Sequence, residues 1–450
     1  MRTLKSWLMA GCLVLVTAQF CSAAGFAIYE WSARDFALGG ATVGRADDPA
    51  ALATNPAGIT QLEGIQVMAG VMPIKPLMTV VADGVSYDSD DDSVFFPPHF
   101  YATWKVNDRY SVGLGTFSRF GLGTKFDDNW AGKYNSYEAT IESMSINPNV
   151  AVKVTDNLSA AFGVEAMYLH FTQKKKLRMF DGVGLLADGD AKLEADGMGY
   201  GFNMALHYQP CQYAKLGLSY RSPVTMKVTG DADFSDISGT PLAGGWYRDT
   251  SAKGVVTLPD SFSFGVALYP IEKLSVELGA VYTLWSKYDE LKIDFGDRLV
   301  PSVPTSDQTI SPKNWDDVWR LNIGVEYAAL DWLDLRLGYV WDQSPAKDST
   351  IDYLLPDSDR HMFTGGLGFH KDNWGLDMSY SYLMFEDRDI KARPLEGVRE
   401  GKVKDAHAHI AGLSFTYKFS TPAQQVLNAK RPGLPGRFAW FFSPKGKEVL

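Results

Sequence analysis

The chain carries the side chains of several chemistries without their spacing. Seven histidines are present, yet neither Gly-x-Ser-x-Gly nor His-Glu-x-x-His occurs, the spacings that a serine nucleophile and a catalytic zinc require. A hydrolase is therefore the weaker reading. Asp88-Ser89-Asp90-Asp91-Asp92 gathers carboxylates, but lacks the loop pattern with a terminal Glu ligand that holds calcium. It reads as a hydrated acidic loop, so no metal and no cofactor are expected. Lys174-Lys175-Lys176-Leu177-Arg178-Met179-Phe180, followed by Val183-Gly184-Leu185-Leu186, sets cations beside an apolar run. That pairing suits capture of an amphipathic molecule or of phosphates, a solvated loop being the plainer alternative.

The elements that must position such groups begin after a leader. Arg2 and Lys5, an apolar run from Trp7 to Ala18 and the small residues Ser22-Ala23-Ala24 read as a secretory signal over residues 1–23, cut after Ala23 or Ala24. A lipoprotein reading at Cys12 is disfavoured, because too little apolar sequence precedes it. Cys12 and Cys21 leave with the signal and Cys211 stays alone, so no disulfide staples the exported chain. The formal charge of −10 grows more negative when Arg2 and Lys5 are removed. That balance argues against nucleic acid, whose binding rests on clustered Lys and Arg.

Beyond residue 24 no apolar run is long enough for a spanning helix. Strand periodicity takes its place. In Ala411-Gly412-Leu413-Ser414-Phe415-Thr416-Tyr417-Lys418-Phe419 the odd positions are apolar and the even ones small or polar. The same alternation runs through Trp319–Tyr327, Leu333–Trp341 and Trp374–Tyr382, with the charges of each strand on one side. Fourteen such segments lie near 64–75, 95–105, 109–122, 136–153, 158–174, 190–208, 213–228, 252–269, 273–295, 316–329, 332–343, 360–369, 374–386 and 405–419. Their connections alternate, six tight turns such as Val106-Asn107-Asp108 and Leu330-Asp331 between seven long loops. Short turns on one side and long loops on the other, with Tyr110, Tyr213, Trp332 and Trp374 beside the short turns, predict an all-β, 14-stranded antiparallel transmembrane barrel with an aromatic belt. A soluble two-sheet protein would require no such combination. Residues 24–63 do not alternate and mix small residues with Gly and Pro breakers, which predicts an N-terminal hatch inside the barrel of residues 64–419. Residues 420–450, rich in Pro, Lys and Arg around Phe438-Ala439-Trp440-Phe441-Phe442, read as a flexible periplasmic tail.

By their order, Gly25-Phe26, Asn55-Pro56-Ala57, Phe120-Gly121-Leu122-Gly123-Thr124, Ile146-Asn147-Pro148-Asn149, Tyr220-Arg221-Ser222 and Asp342-Gln343-Ser344-Pro345 resemble the FadL-type outer-membrane transporters of long-chain fatty acids and aromatic hydrocarbons. The resemblance covers residues 24–419. It implies a monomeric barrel in a Gram-negative outer membrane, reached through the barrel assembly machinery, with lipopolysaccharide around it. It also implies uptake by diffusion: a hydrophobic ligand is caught at the outer loops, passes to a lumenal pocket near the chain start and leaves sideways at a kink in the third strand. The 420–450 tail departs from the family, whose members end on the last strand.

Carried over to this sequence, the resemblance makes Phe26 a pocket-lining residue and Asn55, with Pro56 and Ala57, the hatch motif. Gly113, Gly115 and Gly121 on the third strand, beside Pro97-Pro98, are chemically suited to a wall opening, since glycine permits a bend and proline cannot donate to the ladder. A fatty-acid carboxylate calls for a cation in a low-dielectric pocket. The turn at Leu330-Asp331 sets Arg320 opposite Asp342 and Arg336 opposite Glu326, which pairs both within the wall. Arg221 has no such partner and is the candidate ligand-binding cation. Fatty-acid uptake is the favoured reading, an aromatic-hydrocarbon channel the alternative, and a general porin the more distant one.

Overall fold

The computed structural model describes residues 25–90, 92–179, 184–237, 246–300 and 303–419. The signal segment, the 420–450 tail, Asp91 and the 180–183 stretch with Phe180 and Val183 lie outside the described residues. Fourteen antiparallel wall strands close on themselves. They are β1 (Ile65–Val71, continued by Ile74–Ala82), β2 (Pro98–Lys105), β3 (Tyr110–Phe117, continued by Gly121–Lys125), β4 (Glu138–Lys153), β5 (Leu158–Leu177), β6 (Gly189–Cys211), β7 (Ala214–Arg221 and Val224–Ser235), β8 (Thr250–Leu258 and Ser261–Ile271), β9 (Leu274–Thr283 and Glu290–Phe295), β10 (Val318–Leu330), β11 (Leu333–Asp342), β12 (Arg360–Lys371), β13 (Trp374–Phe385) and β14 (Gly401–Phe419). Ile65 opposite Phe419 joins the last strand to the first. Closure removes the two free edges that an open sheet would present to hydrocarbon, the condition a spanning sheet must meet.

The period-two pattern sorts the faces. Leu413, Phe415, Tyr417, Leu335, Leu337, Trp319 and Leu321 are exposed on the outside, whereas Arg320, Glu326, Asp334, Arg336 and Asp377 are buried within. The register places Arg320 against Asp342 and Glu326 against Arg336. Tyr110, Tyr213, Trp332 and Trp374 project from the wall beside the tight turns. One such turn is held by Asn107, whose side chain accepts the amides of Arg109 and Tyr110 at 2.9 Å, the local bonding that makes Asn a turn residue.

The bore holds the chain start. α1 (Ala33–Ala37) begins at Ser32, whose hydroxyl accepts the Asp35 amide at 3.1 Å. α2 (Ala51–Thr54) and the 3-10 turn Pro56–Gln61 follow. Charge fixes this hatch to the wall: Arg34 meets Glu326 at 3.0 Å as well as Asp47 and Asp48 of the hatch itself. Glu277 accepts the Gly44 and Arg45 amides at 2.7 and 2.9 Å. Burying such pairs gains little net stability, because desolvation offsets attraction. Their contribution is to place the hatch in one orientation.

Close packing comes from glycine. Gly217 lies opposite Gly265 in the wall, and hatch residues Val43 and Gly44 run directly over them. A Cβ at Gly217 would overlap the Val43 carbonyl, and one at Gly265 would overlap the Gly44 amide. Neither backbone can yield without unseating the hatch. Gly217→Val is therefore expected to leave a folded barrel with an unseated plug, read as a rise in sugar permeability in liposome swelling; a tight Gly217→Val barrel would contradict this packing.

Candidate functional site

The site grows from one fault in the wall. β2 and β3 pair only from Phe100 opposite Thr116 to Lys105 opposite Ser111. Beyond Phe100 the chain of β2 stays with β1, through Met72 to Pro97 at 3.1 Å and the Ile74–Phe95 pair at 2.8 and 2.9 Å. β3 instead breaks at residues 118–120 and turns inward. Pro97 and Pro98 carry no amide hydrogen, so the parted edge of β2 loses few donors. The parted edge of β3 is repaired by the chain start: Ile28 donates to the Arg119 carbonyl and Gly121 to the Phe26 carbonyl, both at 2.9 Å. On the opposite flank, facing β4, the Ser143 hydroxyl bridges the same break, accepting the Phe120 amide and donating to its carbonyl.

A cavity of about 450 Å³ fills the fault. It reaches from Phe26, Phe120 and Leu355 inside to Phe96 and Tyr168, both exposed on the outer surface. Its wall is mostly apolar, with three ionisable groups on the inner side, Glu30, Asp357 and Arg360. A smaller apolar cavity of about 50 Å³ lies among β4 to β9, lined by Leu169, Phe171, Val228 and Leu258, with Lys253 and Lys292 also on its wall. Phe26, Leu122, Ile141 and Leu355 line both. Phe26 is thus part of the partition. It is buried and surrounded by Trp285, Tyr288, Phe120 and Trp315, with ring centroids 4.8 to 5.9 Å away at tilted or edge-on angles, the geometry aromatic quadrupoles favour.

Arg360 is the cation of the larger cavity. It bonds Asp342 at 3.1 Å and lies over the Phe385 ring. Asp342 also receives Arg320 at 2.8 Å, so it keeps a partner if Arg360 turns to another anion. Asp357, in the outer loop before β12, accepts the Gly25 amide at 3.1 Å and the Ser344 hydroxyl at 2.6 Å. Burial pushes its carboxyl up to about 6, against the pull of Arg360 and these donors.

Of the residues singled out by sequence, Phe26 and Gly121 meet at the cavity together with Pro97 and Pro98. Gly113 and Gly115 do not. They lie in the regularly paired part of β3, opposite Thr103 and Tyr101. A Cβ at Gly113 would meet Leu52 of the hatch at 2.6 Å; its smallness makes room for the plug and not for an opening. Arg221 lines neither cavity. Its guanidinium donates to the Leu52 and Ala53 carbonyls at 2.8 Å, stacks on Phe117 and lies 3.6 Å from Glu165, so its contacts are with the hatch and wall. Asn55 accepts the Ala57 amide at 3.2 Å and donates to the Val43 and Leu206 carbonyls at 2.8 and 3.0 Å, tying the turn that Pro56 opens to the wall. The outer cations Lys174 and Lys176 are paired with Glu138, and with Asp128 and Asp190, and border neither cavity. Arg360, Asp357, Trp285 and Trp315 escaped sequence reasoning. Trp285 had a signal: Leu284-Trp285 breaks the alternation of β9, and a short 3-10 turn interrupts the strand there.

A family profile described as outer membrane protein transport protein (OMPP1/FadL/TodX) matches residues 14–419. The chain is 25% identical over 460 residues to the long-chain fatty acid transport protein of Escherichia coli K12, covering 91% of this chain and 98% of that protein. It is likewise 25% identical over 469 residues to outer membrane protein P1 of Haemophilus influenzae, covering 90% and 97%. The fold is shared with a FadL homologue of Pseudomonas aeruginosa at TM-score 0.78 and 20% identity, covering 88% of this chain and all of that one. It is shared also with the toluene transporter TodX of Pseudomonas putida at TM-score 0.70 and 18% identity, covering 88% and 99%.

The bonding of Asn55 carries a prediction. Asn55→Ala loses all three bonds, and loss of the acceptor alone costs about 1 kcal/mol, so the hatch of the Ala variant should be cut by added protease faster than that of the parent. Equal rates for the two would contradict the role of the cap.

Proposed function

The chain belongs to the OMPP1/FadL/TodX family of outer membrane transport proteins, and on that premise we propose that it takes up long-chain fatty acids. It is an outer-membrane barrel of a family that transports hydrophobic compounds. The observation that carries the fatty-acid reading is Arg360, the cation on the wall of a mostly apolar cavity that also carries Glu30 and Asp357. An acyl chain gains by leaving water for such a surface. Its carboxylate gains from a guanidinium in a low-dielectric site, a charge-assisted bond worth ~1.5–3 kcal/mol. Sequence relatives named long-chain fatty acid transport proteins, from Escherichia coli and Salmonella typhi, align over nine-tenths of the chain, which supports the same class.

Passage follows from the arrangement. A ligand enters among the outer ends of β4 to β9, meets Phe26, and reaches the larger cavity when the chain start yields. It then leaves sideways between β2 and β3 into the membrane, past Phe96 and Tyr168. The charged hatch contacts below keep the axial route shut, and diffusion suffices as driving force. One observation favours aromatic hydrocarbons instead: the rings of Phe26, Phe120, Trp285, Tyr288 and Trp315 form a site that a toluene-sized ring could share. The toluene transporters TodX and TbuX have the same fold.

Uptake of radiolabelled oleate and toluene in a transporter-null host separates the readings. Arg360→Ala should lower oleate uptake by at least about ten-fold, since the ~1.5–3 kcal/mol of a charge-assisted bond exceeds the ~1.4 kcal/mol of one factor of ten, and leave toluene uptake unchanged. Arg221→Ala should impair both through the hatch. Toluene entry without oleate entry establishes the aromatic reading, and entry of sugars alone would establish a porin.

A further inference from the structure

The outside of the wall carries ionisable groups where it leaves hydrocarbon. His409 stands ten residues up β14 from Phe419, a height of ~25 Å at the usual rise and tilt of a barrel strand. That is the height of the apolar band of such barrels. The Tyr380 hydroxyl bonds Nδ1 of His409 at 2.8 Å; with the hydroxyl as donor, a neutral His409 carries its hydrogen on Nε2 and can donate outward. His407, whose Nδ1 donates to the Asp405 carbonyl at 2.7 Å, flanks it with ring centroids 5.5 Å apart. The Tyr382 ring packs against both, at 5.3 and 5.6 Å.

Two lysines join this group. Lys75 of β1 lies opposite His409, and because its neighbour Ile74 packs inward beside Met72, Lys75 projects to the outside. Lys404 reaches the same face through a bulge. Leu77 pairs with His407 and Thr79 with Lys404, so a step of two on β1 meets a step of three on β14, taken up around Asp405 at φ of +51°. Without the bulge, Lys404 would turn into the barrel. The outward cations of β5 and β6 are met by carboxylates: His170 by Asp196 at 2.8 Å, Lys174 by Glu138 at 2.9 Å, Lys176 by Asp128 and Asp190, and Lys192 by Glu194. Lys75 and Lys404 have no ion pair among the described residues.

The two lysines stand two rows apart on one face, ~14 Å along the strands. Below them the same face is apolar, with Ala411, Leu413 and Phe415 of β14 and Ala69 of β1 exposed. Cations separated by the span of a disaccharide, above a strip that faces hydrocarbon, complement an amphiphile with a doubly phosphorylated sugar head and several acyl chains. We propose that this strip is a docking site for the lipid A of the outer leaflet, one phosphate on Lys75 and His409 and the other on Lys404, the acyl chains lying along β14 and β1. The site adjoins the fault, since Pro76, Leu77 and His407 line the larger cavity. A lipid held there sets acyl chains across the membrane side of the opening. Docking rests on the place of the barrel in the outer membrane and not on the ligand it carries.

Titration of the full-length protein in detergent micelles with diphosphoryl lipid A, followed by native mass spectrometry, reads the affinity. The Lys75→Gln/Lys404→Gln variant should bind at least about ten-fold more weakly than the parent, and Lys75→Arg/Lys404→Arg should bind as the parent does. Lipid A stripped of both phosphates should bind the parent at least about ten-fold more weakly than the intact lipid, a comparison that needs no variant to fold. Equal affinity of the parent for the two lipids, or of the Gln variant and the parent for diphosphoryl lipid A, would overturn the proposal. So would displacement of lipid A by equimolar oleate or phosphatidylglycerol, which would assign the strip to a head with a single anion. Loss of oleate and toluene uptake in cells, with lipid A binding intact, would sink the transport reading and leave the docking site standing.

Discussion

Every backbone amide and carbonyl that faces hydrocarbon must find a partner within the protein, and the rest of this structure follows from where that rule is strained. Around most of the barrel, closure of β1 onto β14 satisfies it. Between the outer halves of β2 and β3 the ladder is parted, and the missing partner comes from residues 26–28. The segment that mends the wall is therefore the segment that carries Phe26. Access between the two cavities and the integrity of the wall are coupled through one short stretch of chain.

Below the fault, the bore is filled by charges that would be poor stabilisers and are good locators. Arg34 ties the hatch to Glu326 of β10, Glu277 of β9 holds the Gly44 and Arg45 amides, and Arg336 of β11 braces Glu326 from the wall side, while glycines let the hatch backbone lie directly on the wall. A plug fixed this firmly along the axis leaves the apolar fault as the softer direction. The aromatic cage around Phe26 adds burial without directional bonding, so its occupant can exchange for another apolar group at modest cost.

The wall was legible because its signals are local. Two-residue alternation, aromatic residues at turns and the alternation of short and long connections specify strand number and facing, and the tight turn centred on Asp331 specifies the partners of Arg320 and Arg336. What lies across the bore was not legible, since no periodicity relates a wall residue to a plug residue. Arg221 looked free because its partners are the carbonyls of Leu52 and Ala53, backbone groups that any sequence would offer. Gly113 looked like a hinge because the need for a small residue there comes from Leu52, sixty-odd positions away. Arg360 stands at the outer end of its strand, where alternation no longer distinguishes cavity from solvent, and Asp357 lies in a loop with no pattern at all.

The central claim is that a hydrophobic solute leaves this barrel through its side, past Phe26, and not along its axis through the hatch. A crystal structure of the protein soaked with a fatty acid brominated near its methyl end, with bromine located by anomalous scattering, addresses it directly. Bromine between Phe120 and Phe96, with the carboxylate beside Arg360, is the result this account predicts. Bromine within the hatch, beside Arg45 and Glu277 on the axis of the bore, would contradict it.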